Sequence, residues 1–247
     1  MILSNLLPDF SVHFNFRWIP GLATLVGLVL FVYLGQWQAG KGDRLETALA
    51  QRQARAQLGP ERVSGALLDA QAVQDAPIRV TGQYEPEGQF FWDNRQLDGQ
   101  PGLNVLTPLR IAGSQTRILV NRGWVAWPQG RGVLPTAEVP AGEVTVNGMA
   151  YVPSTKKFFL MPEAPPAQGA LRLKVDIAAI AAQTAQTLQP VVLLQDQNDA
   201  TDKLVRRWAP PENRVDMHRG YAFQWFGMAL ALVIFYLLAS VRRRTQP

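Results

Sequence analysis

Cysteine is absent from this 247-residue chain, and histidine occurs only twice, at His13 and His218. The first absence excludes disulfides, thiolate metal sites and any relay of copper through cysteine sulfur. It leaves the compartment open, because an outer domain can do without disulfides. The scarcity of histidine excludes a closed, protein-only zinc or copper site, which needs several imidazoles or thiolates. Charge is sparse as well, at 17% of residues with a formal net charge of +5. With no basic aromatic stripe, that mild excess gives no support for binding nucleic acid. No Gly-x-Ser-x-Gly and no phosphate loop occurs. The acidic residues Glu85 with Glu87, and Asp93 with Asp98, fall on turn-like stretches. No catalytic constellation converges, and the chain is expected not to be an enzyme.

What is present in excess is concentrated near the ends. Trp18 to Gly40 and Gly220 to Val241 carry no charged residue. At 1.5 Å rise per residue, about 20 residues cross a hydrocarbon core of roughly 30 Å. Both stretches are therefore expected to be transmembrane helices. The first is too long for a signal-peptide core and is followed by Gln36, Trp37 and Gln38 rather than a small-x-small cleavage site, so it is expected to be a retained anchor. Arg242, Arg243 and Arg244 directly after the second helix place that end in the cytoplasm. Arg17 agrees, whereas Lys41, Arg44, Arg52 and Arg55 oppose it from the other side of the first helix. The expected order is a cytoplasmic tail (1–17), a first membrane helix (18–40), an extracytoplasmic domain with a helical stalk (41–217), a second membrane helix (218–241) and a basic cytoplasmic tail (242–247). Small residues at i, i+4 suggest that the two helices pair, Ala23 and Gly27 facing Gly227 and Ala231. The depths agree: about 15 Å inward from Trp37 and about 13.5 Å inward from His218.

Between the helices, Asp43 to Leu58 has helical composition and should end at Gly59-Pro60. Strand signals follow at 77–84, 88–94, 102–110, 116–127, 142–152, 170–176 and 191–195, with one helix at 177–188. Gly/Pro clusters such as Pro128 to Gly132 and Pro162 to Gly169 separate them. The expected fold is thus two transmembrane α-helices bracketing a mainly antiparallel β domain, a small barrel or sandwich, with a short helix.

Two places draw attention as sites. A porphyrin supplies four nitrogens of its own, so a single imidazole can complete an iron site. In a helix, His218, Ala222 and Trp225 fall on one face with Tyr221 alongside, and Trp37 lies at the same membrane surface. The competing explanation is an interfacial anchor, since His, Tyr and Trp settle at that depth anyway. The second place is Asn121, Arg122 and Trp124 around Gly123. An arginine in a strong strand must face solvent, pair with an acid or meet a partner.

Six segments in order, "LGQWQ" (34–38), "RVTGQY" (79–84), "PGLNVLTPL" (101–109), "VNRGWV" (120–125), "GEVTVNG" (142–148) and "HRGYAFQWFGMA" (218–229), resemble the surfeit locus protein 1 family. Its members are assembly factors for haem-copper cytochrome c oxidase. The resemblance covers nearly the whole chain. It implies a protein of the bacterial inner membrane with a periplasmic central domain. It also implies binding of haem a and its passage to the catalytic subunit of the oxidase, with haem a synthase as a further candidate partner. The family's histidine at the entry to the second helix matches His218, a candidate axial ligand, and its tryptophan at the end of the first helix matches Trp37. Tyr221 and Trp225 join them as candidate haem contacts, and Asn121, Arg122 and Trp124 are candidate partner contacts. Lys41, Ala126 and Arg219 depart from the family's usual residues. The alternative is a membrane scaffold that stabilises an oxidase subunit intermediate and holds no haem.

Overall fold

In a computed structural model, residues 12–14, 17–128, 133–154, 170–199, 202–208 and 212–243 are described. Arg244 and the rest of the basic tail, most of the N-terminal tail, and the turn clusters 129–132 and 162–169 lie outside them. The chain divides into two compact units, Met1–Ala50 with Pro211–Pro247, and Gln51–Pro210.

The first unit is built on two helices. Helix α1 runs unbroken from Trp18 to Ala56, so the expected stalk is a continuation of the apolar helix. Pro20 sits in its first turn, where a missing N–H costs nothing. Gly59 and Pro60 follow its end, and a proline disfavours helical geometry in the residue before it. Helix α4 spans Val215–Ser240. Both are long and apolar enough to cross a membrane. A short antiparallel ladder joins β1 (Val12–Phe14) to β10 (Val241–Arg243), an element the tail composition did not suggest.

Of the expected stripes, Gly27 lies against α4, while Ala23 and Gly227 do not take part. Gly21, Gly27, Gly35 and Gly42 of α1 are the positions where an added Cβ would meet Tyr236, Leu232, Phe226 and the His218–Arg219 turn of α4. Gly227 has nothing within 4 Å of its missing side chain, and Ala23 is exposed. On α4 it is Ala222 and Ala229 that are buried. Small residues on one helix thus receive large ones from the other, a knob-and-groove arrangement rather than small against small.

Among the described residues the second unit is an eight-stranded sheet with two short α-helices of its own. In chain order its elements are β2 (Glu61–Arg62), α2 (Ala70–Val73), β3 (Pro77–Tyr84), β4 (Phe90–Leu97), β5 (Gln100–Ile111), β6 (Arg117–Ala126), β7 (Glu143–Tyr151), β8 (Leu171–Arg172), α3 (Ile177–Thr184) and β9 (Leu188–Gln195). The strand order is β2-β3-β7-β9-β6-β5-β4-β8, and β3 also pairs with β5. Pairing therefore runs in a cycle, β3-β7-β9-β6-β5 and back to β3. Most ladders are antiparallel, as expected, but β2–β3, β4–β8 and β6–β9 are parallel.

Alternation made most strands legible. In β3, Ile78, Val80 and Tyr84 point inward while Arg79 and Gln83 point out. The stretch expected as a strand over 170–176 shortens to β8, because Asp176 turns away to cap α3 by accepting from the N–H of Ala179. That helix ends at Thr184 rather than 188, where Ala185 takes a left-handed conformation and β9 begins early. Strand β6 is buried on both faces from Ile118 to Gly123, the pattern of a strand in the middle of a core.

Candidate functional site

At the start of α4, His218 is half-buried and its Nδ1 lies 2.9 Å from Oε1 of Gln38 on α1. Gly42, one turn further along α1, lies against the same turn of α4. A Cβ there would stand 3.7 Å from the Cβ of His218 and 3.6 Å from Cγ of Arg219. Another turn on, Glu46 accepts from the Arg219 guanidinium at 2.7 Å. Gln38, Gly42 and Glu46 follow one another at i, i+4, so one face of α1 seats the first turn of α4.

The aromatic candidates divide. The indole of Trp225 packs 5.7 Å from the ring of Phe31, on the same face of α4 as the buried Ala222. Tyr221 is 47% exposed and Trp37 is 43% exposed. The Trp37 indole is covered by the ammonium of Lys41, 3.9 Å from the ring centroid. The α1 residue that touches His218 is therefore Gln38, next to the expected Trp37. The helix phase decides this, since adjacent residues point about 100° apart. Gln38 was in plain view inside "LGQWQ", and its spacing to Gly42 and Glu46 was the signal that marks it.

An imidazole whose Nδ1 donates to an amide oxygen keeps the lone pair of Nε2 for a ligand. Among the described residues no three His, Asp or Glu side chains gather as a metal site. A single imidazole suffices only where a macrocycle brings the remaining ligands, and His218 with its engaged Nδ1 fits that demand.

The second candidate place is a closed network. Arg122 is 1% exposed. Its guanidinium donates to Oε1 of Gln89 at 3.1 Å, to the carbonyl of Glu138 at 2.5 Å and to Asp202 at 2.8 Å. The other oxygen of Asp202 accepts from Arg206, which also donates to the carbonyl of Asp199. The guanidinium lies 5.5 Å from the ring of Tyr84. Burial pushes the Tyr84 phenol well above its ordinary range; the negative charges of Asp199 and Asp202 add to this, while Arg122 and Arg206 oppose it.

The backbone explains how an arginine comes to be inside. Val105 pairs with Gly123 but Leu106 pairs with Asn121, so Arg122 is the extra residue of a β-bulge. A bulge re-aims the side chain it carries. Gly123, at φ +145°, completes the irregularity, and a Cβ there would stand 2.8 Å from Cβ of Leu204. Trp124 exchanges both backbone hydrogen bonds with Val205. "NRGW" thus grips the segment 202–208. Asn121 and Arg122 are each 1% exposed, so they cannot be displayed to a partner as surface groups. The indole of Trp124 covers Gly102, where an added Cβ would come within 2.4 Å of it.

A family model described as the SURF1 (surfeit locus protein 1) family matches residues 25–230. A SURF1-like protein of Mycobacterium bovis is 32% identical over 140 residues, 52% of this chain and 51% of that protein. A SURF1-like protein of Rickettsia bellii is 23% identical over 227 residues, 87% of this chain and 88% of its own length. The chain spans about half the length of the mycobacterial relative and most of the rickettsial one.

Proposed function

The chain belongs to the SURF1 family, and from that premise we propose that it assists the assembly of haem-copper cytochrome c oxidase by holding haem a for the catalytic subunit. The observation that carries this reading is the posture of His218, with Nδ1 engaged by Gln38 and Nε2 left for iron. His218 is the axial ligand in this proposal, and Trp225, Tyr221 and Trp37 supply apolar and aromatic surface near it. Bound haem a would bring the iron and the other four ligand nitrogens. The chain's own work is to orient one imidazole, offer a hydrophobic flank and let the cargo go; no catalytic step is assigned to it.

In the same proposal the two apolar helices cross the bacterial inner membrane with both termini cytoplasmic and the domain 41–217 periplasmic. The pairing cycle β3-β7-β9-β6-β5 is taken as a small barrel. Partners are the oxidase catalytic subunit, haem a synthase and membrane lipid. Asn121, Arg122 and Trp124 are the partner-contact residues of this proposal, with Arg122 and Trp124 acting through the segment 202–208 that they hold.

The test is a pyridine haemochrome spectrum of the detergent-solubilised protein from cells that make haem a, wild type beside His218→Ala. Haem a in the wild type and its loss in the variant is the expected result. Haem in neither, with both folded, would leave the scaffold that stabilises an oxidase subunit intermediate without haem.

A further inference from the structure

We propose that Gln38 is a positioning residue that fixes the tautomer and ring orientation of His218 for its iron ligand; this rests on the haem reading above. The imidazole is approached from α1 by a neutral amide, 2.9 Å from Nδ1. A Cβ added at Gly42, one turn on, would stand 3.7 Å from the Cβ of His218, so α1 runs close beside this turn. The ionic pair beside it, Arg219 with Glu46, satisfies itself at 2.7 Å and leaves Gln38 as the group that reads the ring.

An amide oxygen can only accept, so Nδ1 carries the hydrogen and Nε2 keeps its lone pair. Without that acceptor the two tautomers compete and the ring is free to turn. The neutrality of Gln38 also matters. A carboxylate partner strengthens an imidazole as a metal ligand, whereas an amide orients it with a weaker push. A carrier has to release what it holds, and a neutral orienting group suits a ligand of intermediate strength. The placement on α1 adds a geometric consequence. Because acceptor and ligand sit on different helices, the posture of the ring depends on the helix pair staying closed at Gly35, where a Cβ on α1 would press on the ring of Phe226 at 2.7 Å.

The experiment uses the full chain in detergent micelles with ¹⁵N-labelled histidine, the His218 signals being assigned by their loss in His218→Ala. In the haem-free wild type, His218 should show the Nδ1–H tautomer. Gln38→Leu should lose that preference, and Gln38→Glu should keep it, with helix content by circular dichroism unchanged in both. Titration with haem a should then show affinity falling by about 10–100-fold in Gln38→Leu, the range for losing such a partner, and release slower than wild type in Gln38→Glu. A wild type in the Nε2–H tautomer, as a flipped amide would give, overturns the inference whatever the haem content. So does a tautomer that ignores Gln38→Leu. If the tautomer responds as expected but no form binds haem a, the haem reading falls and the role of Gln38 toward that ligand falls with it.

Discussion

The guanidinium of Arg122 lies 2.8 Å from the carboxylate of Asp202, 80 positions later in the chain, with 1% of the arginine side chain exposed. Asp202 is shared with Arg206, so a single carboxylate serves two buried cations, one from β6 and one from the segment 202–208.

Removing Arg122 leaves the Gln89 oxygen, the Glu138 carbonyl and one oxygen of Asp202 buried without their donor, although Arg206 still pairs with the carboxylate. Breaking a buried, hydrogen-bonded charge pair costs far more than the pair contributes to stability. Arg122→Leu is expected to destabilise the sheet unit by about 3–5 kcal/mol. Arg122→Lys should recover little, because an ammonium cannot serve Gln89, Glu138 and Asp202 together in a planar fork. Denaturant unfolding followed by far-ultraviolet circular dichroism measures both. A wild-type midpoint in Arg122→Leu would show that the network is dispensable.

Gly123→Ala tests the bulge itself. The backbone there is at φ +145°, and the new methyl would press on Leu204. The strain should amount to about 1–3 kcal/mol, relieved by loosening the Trp124–Val205 pairing. Limited proteolysis should then cut within 202–208 several-fold faster than in wild type. An unchanged cleavage pattern would argue against the grip described for "NRGW".

Gly35→Ala and Gly227→Ala make a matched pair on the two apolar helices. A Cβ at Gly35 would fall 2.7 Å from the ring of Phe226, whereas at Gly227 it would meet nothing within 4 Å. Gly35→Ala should lower the melting temperature of the helix pair in detergent. Gly227→Ala should leave it unchanged or raise it, alanine being the better helix former by about 1 kcal/mol. The reverse order would mean that the pairing face has been assigned to the wrong side of α4.

Tyr84 makes stability fall at high pH. Its folded phenol titrates above the ordinary value because it is buried, while the unfolded phenol ionises near 10. Below that pH both states keep the proton and the contribution is constant. Above it the unfolded state loses protons first, so stability declines as pH rises. Tyr84→Phe should therefore lose less stability than wild type between pH 8 and pH 11. Because the buried hydroxyl has no hydrogen-bond partner among the described residues, the variant should be no less stable at pH 8. Parallel losses in the two proteins would show that other groups dominate the alkaline limb.

Local chemistry sufficed wherever a pattern repeats along the chain. Two uncharged apolar runs determine two long helices, and the alternation of Ile78, Val80 and Tyr84 determines a strand with one face inward, because periodicity reports burial without reference to distant residues. Composition likewise excluded thiolate chemistry, and His218 stood out because the chain has so few imidazoles. Tertiary structure alone decided who meets whom. Gln38 and His218 are 180 positions apart, and only the phase of two paired helices selects Gln38 over its neighbour Trp37. Arg122 reads as a surface residue until one unpaired position in β6 turns it inward toward Asp202, and β6 lies parallel to β9, a partner no hairpin announces. Register and helix phase depend on contacts between segments far apart in sequence, and a single-residue shift reverses which side chains face the interior.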